Sequence, residues 1–372
     1  MHTLPFFEES HRSLAATLEP FAVQEIAPLA PQDESATVDN AREYVLRLAN
    51  ARLLAHATSG AIRACALIRH RLARESALAD CMFAMQGLGA IPILLAGTEA
   101  QKAQWLPRIA DGEITGFALT EEEAGSDPSG MQLAAVQAGA GWRLTGEKTF
   151  ISNAGILDVF SVFARTAPGD RDAFTAFLVG GKAKGLSSRA IEVMSPHPIG
   201  RLTFDGVEVS DADRLGPVGG GLKVALGTLD RFRATVGAAA CGMARRALDE
   251  SLGRTRSRVQ FGKPLEAFQA IQFLLADMAT ELAAAELLVA RAAWEIDSGA
   301  PDAKMTVAMS KRFATDHAHA IIDRAVQIHG GSGVVRGAMV ERLYRDVRAL
   351  RIYEGTSEIQ RLVIARELTR RR

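Results

Sequence analysis

The chain has 372 residues, enough for two or three core-forming units, and 48% are apolar against 23% charged, the balance of an ordinary soluble globular protein. Acidic and basic residues number 43 each, so no net field draws in nucleic acid or an anionic membrane. Cys65, Cys81 and Cys241 are odd in number and widely spaced, which speaks against a disulfide framework or a zinc site and for a reducing compartment.

No apolar run approaches the length of a membrane span, and the first five residues lack the regions of a signal peptide. Arginine outnumbers lysine and alanine is abundant, which points to a bacterial cytoplasmic protein; Arg370-Arg371-Arg372 reads as a frayed, solvated tail.

Residues 1–115 read as a helical N-terminal domain. Leu46, Leu48, Leu53, Leu54, Ile62, Leu67 and Ile68 recur at helical spacings. Pro92, inside an apolar run at 91–95, suits a helix start. Residues 116–218 change character: 142–145, 159–164, 174–179 and 202–209 are short runs rich in Val, Phe and Thr. Turns at 139–141, 168–170 and 205–206 separate them. The expectation is a small antiparallel, barrel-like β-domain, closed or nearly so.

Residues 219–372 return to helical periodicity. Long segments are expected at 268–296 and 303–329, the second stopped by Gly330-Gly331 as a glycine C-cap, and together they suggest a bundle. Another helix is expected at 340–352, and Ser357 with Gln360 forms a capping box for the last one. The fold class is α+β, mostly α.

Between those last two helices stands Glu354, followed by Gly355. The glycine can take backbone angles closed to other residues, so the carboxylate can be aimed into a cleft as a general base. On these residues alone the reading as a solvated helix-end glutamate is the stronger one, because most glutamates near helix ends are solvated. Two other patterns are discounted. The glycine-rich stretch 216–221 lacks the Lys-Ser/Thr ending of a phosphate loop and reads as a linker. His317 and His319 sit two apart on a helix, facing different sides, so no metal is expected.

Four motifs decide more. They are Phe117-Ala118-Leu119-Thr120-Glu121 with Ala124-Gly125-Ser126-Asp127, Gly146-Glu147-Lys148-Thr149-Phe150-Ile151-Ser152-Asn153, Arg258-Val259-Gln260-Phe261-Gly262-Lys263 with Gln269, and Tyr353-Glu354-Gly355-Thr356-Ser357-Glu358-Ile359-Gln360-Arg361. In this order the chain resembles the acyl-CoA dehydrogenase family, weakest over the first sixty residues.

The resemblance implies a helical N-terminal domain, a β middle domain and a C-terminal four-helix bundle. It implies FAD as cofactor and α,β-dehydrogenation of an acyl-CoA thioester to the trans-2-enoyl product. Glu354 would be the base and its N–H one donor to the thioester oxygen. Electrons would pass to an electron-transfer flavoprotein or another acceptor. Flavin contacts would come from Thr120, Ser126 and Ser152, and the substrate would meet Ser126, Asp230, Arg233, Tyr353 and Gly355. Across a subunit boundary, Arg258, Phe261, Gln269, Gln327, Gly330 and Gly331 would reach the cofactor, with Thr356 and Glu358 near its diphosphate. That implies a homo-oligomer, usually a tetramer.

Asp230 and Arg233 read equally as a surface ion pair three residues apart, and Glu358 as a first-turn helix acid. Some family members carry the base at the position of Phe232, which cannot take a proton. Glu122 replaces the family's usual proline, and Phe150 stands where many members have tryptophan. Rival readings are a same-fold acyl-CoA oxidase, a dehydrogenase of a carrier-protein-bound acyl group, and a non-catalytic or DNA-binding relative.

Overall fold

The computed structural model describes residues 1–29, 36–169 and 173–370. The expected turn residue Asp170 and the last two arginines lie outside them. The first helices are α1 (Glu9–Phe21), α2 (Thr37–Asn50), α3 (Leu54–Ser59), α4 (Ile62–Glu75), α5 (Ala77–Ala96) and α6 (Glu99–Ala110). Pro92 does not start a helix; it lies inside α5. This helix is also long and apolar enough to cross a membrane, contrary to the expectation above. Its most apolar window is 83% buried, which makes it a core helix, and no other described helix is of that kind.

Strands β1 (Thr115–Ala118), β2 (Ala134–Ala138), β3 (Gly141–Ser152), β4 (Val159–Arg165), β5 (Phe174–Gly180), β6 (Leu186–Ala190), β7 (Ile199–Ser210) and β8 (Arg214–Leu215) form one sheet. The pairing path runs β6-β7-β3-β2-β4-β5-β8, with β1 added on β4. Among the described residues no pairing joins its ends.

Two of the pairings are parallel, not antiparallel. β1 pairs with Val159 to Val162 of β4, and Ala134 of β2 pairs with Arg165 on the same strand. The chain therefore follows β4 in one direction, leaves it, and rejoins it further along. Residues 119–133 are looped out between the two anchor points. Strand β3 carries two register shifts against β7, one at Gly146 and one between Lys148 and Ile151. At the second, Phe150 takes φ +54° and is 55% exposed, while Lys148 is fully buried.

The remaining helices are α7 (Gly221–Phe232), α8 (Ala234–Ser257), α9 (Gln269–Asp297), α10 (Ala303–His329), α11 (Met339–Arg348) and α12 (Ser357–Arg370), with a short hairpin at 259–264. Gly330 at φ +59° ends α10, as the glycine pair predicts.

By contacts the chain forms two compact units. One comprises Met1–Gln32, Ile62–Asp80 and Arg233–Arg372; the other comprises Asp33–Ala61 and Cys81–Phe232. In the first, α10 packs on α8, α9, α11 and α12, and α4 joins α8 and α9. In the second, Phe160, Phe177 and Phe204 of the sheet share one core, and Phe163, Phe174 and Leu222 share another.

Candidate active site

In the helical unit, the chain leaves α11 through a short 3₁₀ turn and reverses at Glu354 and Gly355 before α12. Both residues are left-handed, at φ +53° and φ +88°. For a glutamate that conformation is uncommon and costs free energy, so the surroundings must impose it. At Gly355 a Cβ would lie 2.6 Å from Gln360 Nε2, so any other residue there would displace the Gln360 amide.

Three donors hold the turn. Arg233 Nε donates to the Glu354 carbonyl at 2.7 Å, Lys311 Nζ to the Gly355 carbonyl at 2.7 Å, and Gln360 Nε2 to the same carbonyl at 2.9 Å. Gln360 is thus a clamp on the turn and not half of a capping box. The helix cap is Thr356, whose Oγ1 accepts from the Ile359 N–H at 3.3 Å, while Ser357 Oγ donates to Asp316 at 2.8 Å. Glu358 is exposed in the first turn of α12, its carboxyl held low by its own N–H and by the Thr356 side chain.

Glu354 is half-buried, but its Oε2 is buried and has no hydrogen-bond partner among the described residues. Burial pushes its proton affinity up, against the pull of Arg69, Arg233 and Lys311. Arg69 is itself buried and bidentate to Asp80 at 2.7 and 2.8 Å, with Thr235 Oγ1 taking a third bond at 2.9 Å. Burial works against the Arg69 charge, yet Asp80 outweighs it and raises its proton affinity. A partly accessible carboxylate with an unused lone pair and an elevated proton affinity suits proton abstraction. Tyr353, beside it, is 39% exposed. Arg233 is 5% exposed, so its guanidinium is buried beside the turn it holds.

Elsewhere in that unit, Arg254, Arg258, Gly330 and Gly331 line a cleft of about 410 Å³ with Ser332 and His329. None of its lining residues is acidic, and a Cβ added at either glycine would meet nothing within 4 Å. Two guanidinium groups beside open glycine backbone fit an anionic diphosphate. Phe261, Gln269 and Gln327 do not line this cleft and are exposed, Phe261 by 92%.

In the sheet unit, Thr120 and Ser126 lie on the looped-out 119–133 segment, and the Thr120 carbonyl accepts from the Thr149 N–H at 2.9 Å. Ser152 Oγ lies 3.4 Å from His197 Nε2, and Asp230 is near the end of α7. Phe232 is fully buried, and a Cβ at Gly87 would sit 2.4 Å from its ring. Sequence reasoning missed Lys148 and Lys311, both fully buried. Neither lysine stands in a stretch whose pattern marks it for burial, so the sequence carried no signal for them.

The domain families described as acyl-CoA dehydrogenase N-terminal, middle and C-terminal match residues 8–113, 116–207 and 219–369. The chain belongs to the acyl-CoA dehydrogenase family. Its members are flavoprotein oxidoreductases acting on CH–CH groups. A 3-(aryl)acrylate reductase of Clostridium sporogenes is 38% identical over 377 residues, 98% of this chain and 99% of its own length. The caffeyl-CoA reductase–Etf complex subunit CarC of Acetobacterium woodii is 41% identical over 284 residues, 74% of this chain and 73% of its own. Butyryl-CoA dehydrogenase of Megasphaera elsdenii, a solved structure, superposes with a TM-score of 0.90 at 31% identity, covering 98% of this chain and 99% of the other.

Proposed function

We propose that the chain is an FAD-dependent acyl-CoA dehydrogenase in which Glu354 takes the α-proton of an acyl-CoA thioester. The observation that carries this reading is the buried, unpartnered Oε2 of a glutamate held in a left-handed turn. Bound FAD supplies the hydride acceptor for the β-carbon. The chain's own part is to hold the base and to polarise the thioester oxygen, for which the Glu354 N–H is the candidate donor.

Arg258, Gly330 and Gly331 are assigned to the cofactor's diphosphate end on the strength of the cationic cleft. Thr120, Ser126 and Ser152 are assigned to the flavin, with Thr356 and Glu358 on its diphosphate side. Asp230, Arg233, Tyr353 and Gly355 are assigned to the substrate side. The exposure of Phe261, Gln269 and Gln327 suits contacts made to the cofactor of a second copy, and hence a homo-oligomer. An electron-transfer flavoprotein is the proposed electron partner, supported by the name of the CarC relative.

The two relatives named as reductases favour a second reading, reduction of an arylacrylyl thioester by the same site run backwards. Anaerobic titration of the purified flavoprotein separates the possibilities. Bleaching of the flavin band by butyryl- or octanoyl-CoA is expected for a fatty-acyl dehydrogenase. Bleaching by 3-phenylpropionyl-CoA alone, with cinnamoyl-CoA reoxidising the reduced flavin, supports the aryl reading. A flavin that none of these thioesters bleaches overturns both.

A further inference from the structure

Lys311 lies on α10 and is fully buried, and its ammonium donates to the Gly355 carbonyl at 2.7 Å. Among the described residues no carboxylate stands within ion-pair distance of it. A buried charge of that kind is costly, and a neutral donor suffices to satisfy a carbonyl. Gln360 already supplies one, at 2.9 Å to the same oxygen. A hydrogen bond alone therefore does not account for a lysine at this position.

Its electrostatic neighbours do. Glu354, Asp316 and Glu358 favour the Lys311 charge and Arg233 opposes it, while Arg69, Arg233 and Lys311 favour the ionised Glu354 carboxyl and Asp80 opposes it. Of the cations around Glu354, Arg69 is committed to Asp80 through two hydrogen bonds. Burial draws Lys311 down to about 8, with Glu354 the foremost influence in the other direction.

We propose that Lys311 is a positioning residue for Glu354: its ammonium clamps the Gly355 carbonyl, fixes the left-handed turn, and favours the ionised carboxylate. The inference rests on Glu354 being the base. Lys311 acts through Glu354 and not on the reacting atoms.

The test uses purified full-length, flavin-loaded protein as wild type, Lys311→Met and Lys311→Gln, each also carrying Glu354→Gln as its reference. Infrared difference titration against the reference isolates the Glu354 carboxyl band. Stopped-flow flavin reduction is read with butyryl-CoA as probe. Lys311→Met is expected to move the Glu354 titration up by about one pH unit. Flavin reduction at neutral pH is expected to slow about tenfold, with half-saturation by butyryl-CoA changed less than about threefold.

Lys311→Gln keeps a donor and loses the charge, so it should reproduce the carboxyl shift with a smaller loss of rate. It also decides the matter if Lys311→Met does not fold. A Glu354 band that titrates unchanged in the folded variants overturns the inference while leaving the base reading intact. Retained turnover in Glu354→Gln itself overturns the base reading and the inference with it. The infrared arm needs no substrate, so it decides even where butyryl-CoA is a poor one.

Discussion

In the sheet unit the Glu121 carboxylate uses both oxygens. Oε1 accepts from Lys148 Nζ at 2.8 Å and from the Leu133 N–H at 3.0 Å, and Oε2 accepts from the Gln132 N–H at 2.6 Å. In the helical unit the Glu354 carboxylate leaves Oε2 without a partner among the described residues, while Arg233 and Lys311 donate to backbone carbonyls and Arg69 to Asp80 and Thr235. Each carboxylate has a buried lysine in its surroundings, and burial draws both lysines down to about 8. The difference lies in what each carboxylate has left to offer. Glu121 is saturated and ties the base of the 119–133 loop to β3. Glu354 has an oriented lone pair free for a proton.

The comparison is broken most directly at Glu354. Glu354→Gln keeps the shape and removes the proposed base, so flavin reduction by the substrate should fall by about 10²–10⁴-fold with the flavin still bound. Stopped-flow reduction beside the absorbance spectrum reads both at once, and turnover near the wild-type rate would remove Glu354 from the chemistry.

At the other carboxylate the expected loss is of stability. Lys148 is fully buried and the Glu121 side chain is 10% exposed, so Lys148→Met leaves a desolvated carboxylate without its cation. Breaking such a pair from one side costs about 3–5 kcal/mol, visible as a lower denaturant midpoint. Lys148 Nζ also bonds the Leu119 carbonyl at 2.9 Å, so the loop and β3 should loosen together. A midpoint unchanged from wild type would mean that Glu121 is held by the two backbone N–H groups alone.

Local chemistry was legible in the sequence, and long-range partnership was not. The expected strands at 142–145, 159–164, 174–179 and 202–209 all fall inside observed strands, because Val, Phe and Thr runs bounded by turns report a pleated, half-buried surface directly. The break at Glu354 and Gly355 was legible too, through the glycine. The parallel pairings of β1 and β2 with β4 were not, since they depend on a loop leaving and rejoining a distant strand. Pro92 was misplaced because proline favours a helix start only as a tendency, and a long apolar helix can enclose one. Ser357 and Gln360 have the spacing of a capping box, but Gly355 and Asp316 compete for their side chains and win. Lys148 and Lys311 escaped for the same reason, since burial of a lysine is decided by elements far away in sequence.

The smallest expected effect sharpens the contrast by pH. Glu354 binds its proton more tightly folded than unfolded, because burial outweighs Arg69, Arg233 and Lys311. As pH rises past the ordinary carboxylate value, the unfolded chain releases this proton first, so the group's contribution to stability declines until the folded carboxyl has ionised as well. Glu354→Gln mimics the neutral form at every pH. The variant should therefore match the wild type below the ordinary carboxylate range and exceed it modestly at neutral pH. Glu121→Gln should instead be the less stable protein, because it removes the charge paired with the buried Lys148. Denaturant midpoints of Glu354→Gln at acidic and neutral pH, and of Glu121→Gln beside wild type, check both signs. A neutral-pH midpoint for Glu354→Gln below that of wild type would mean that the surrounding cations, not burial, set the balance at this carboxyl.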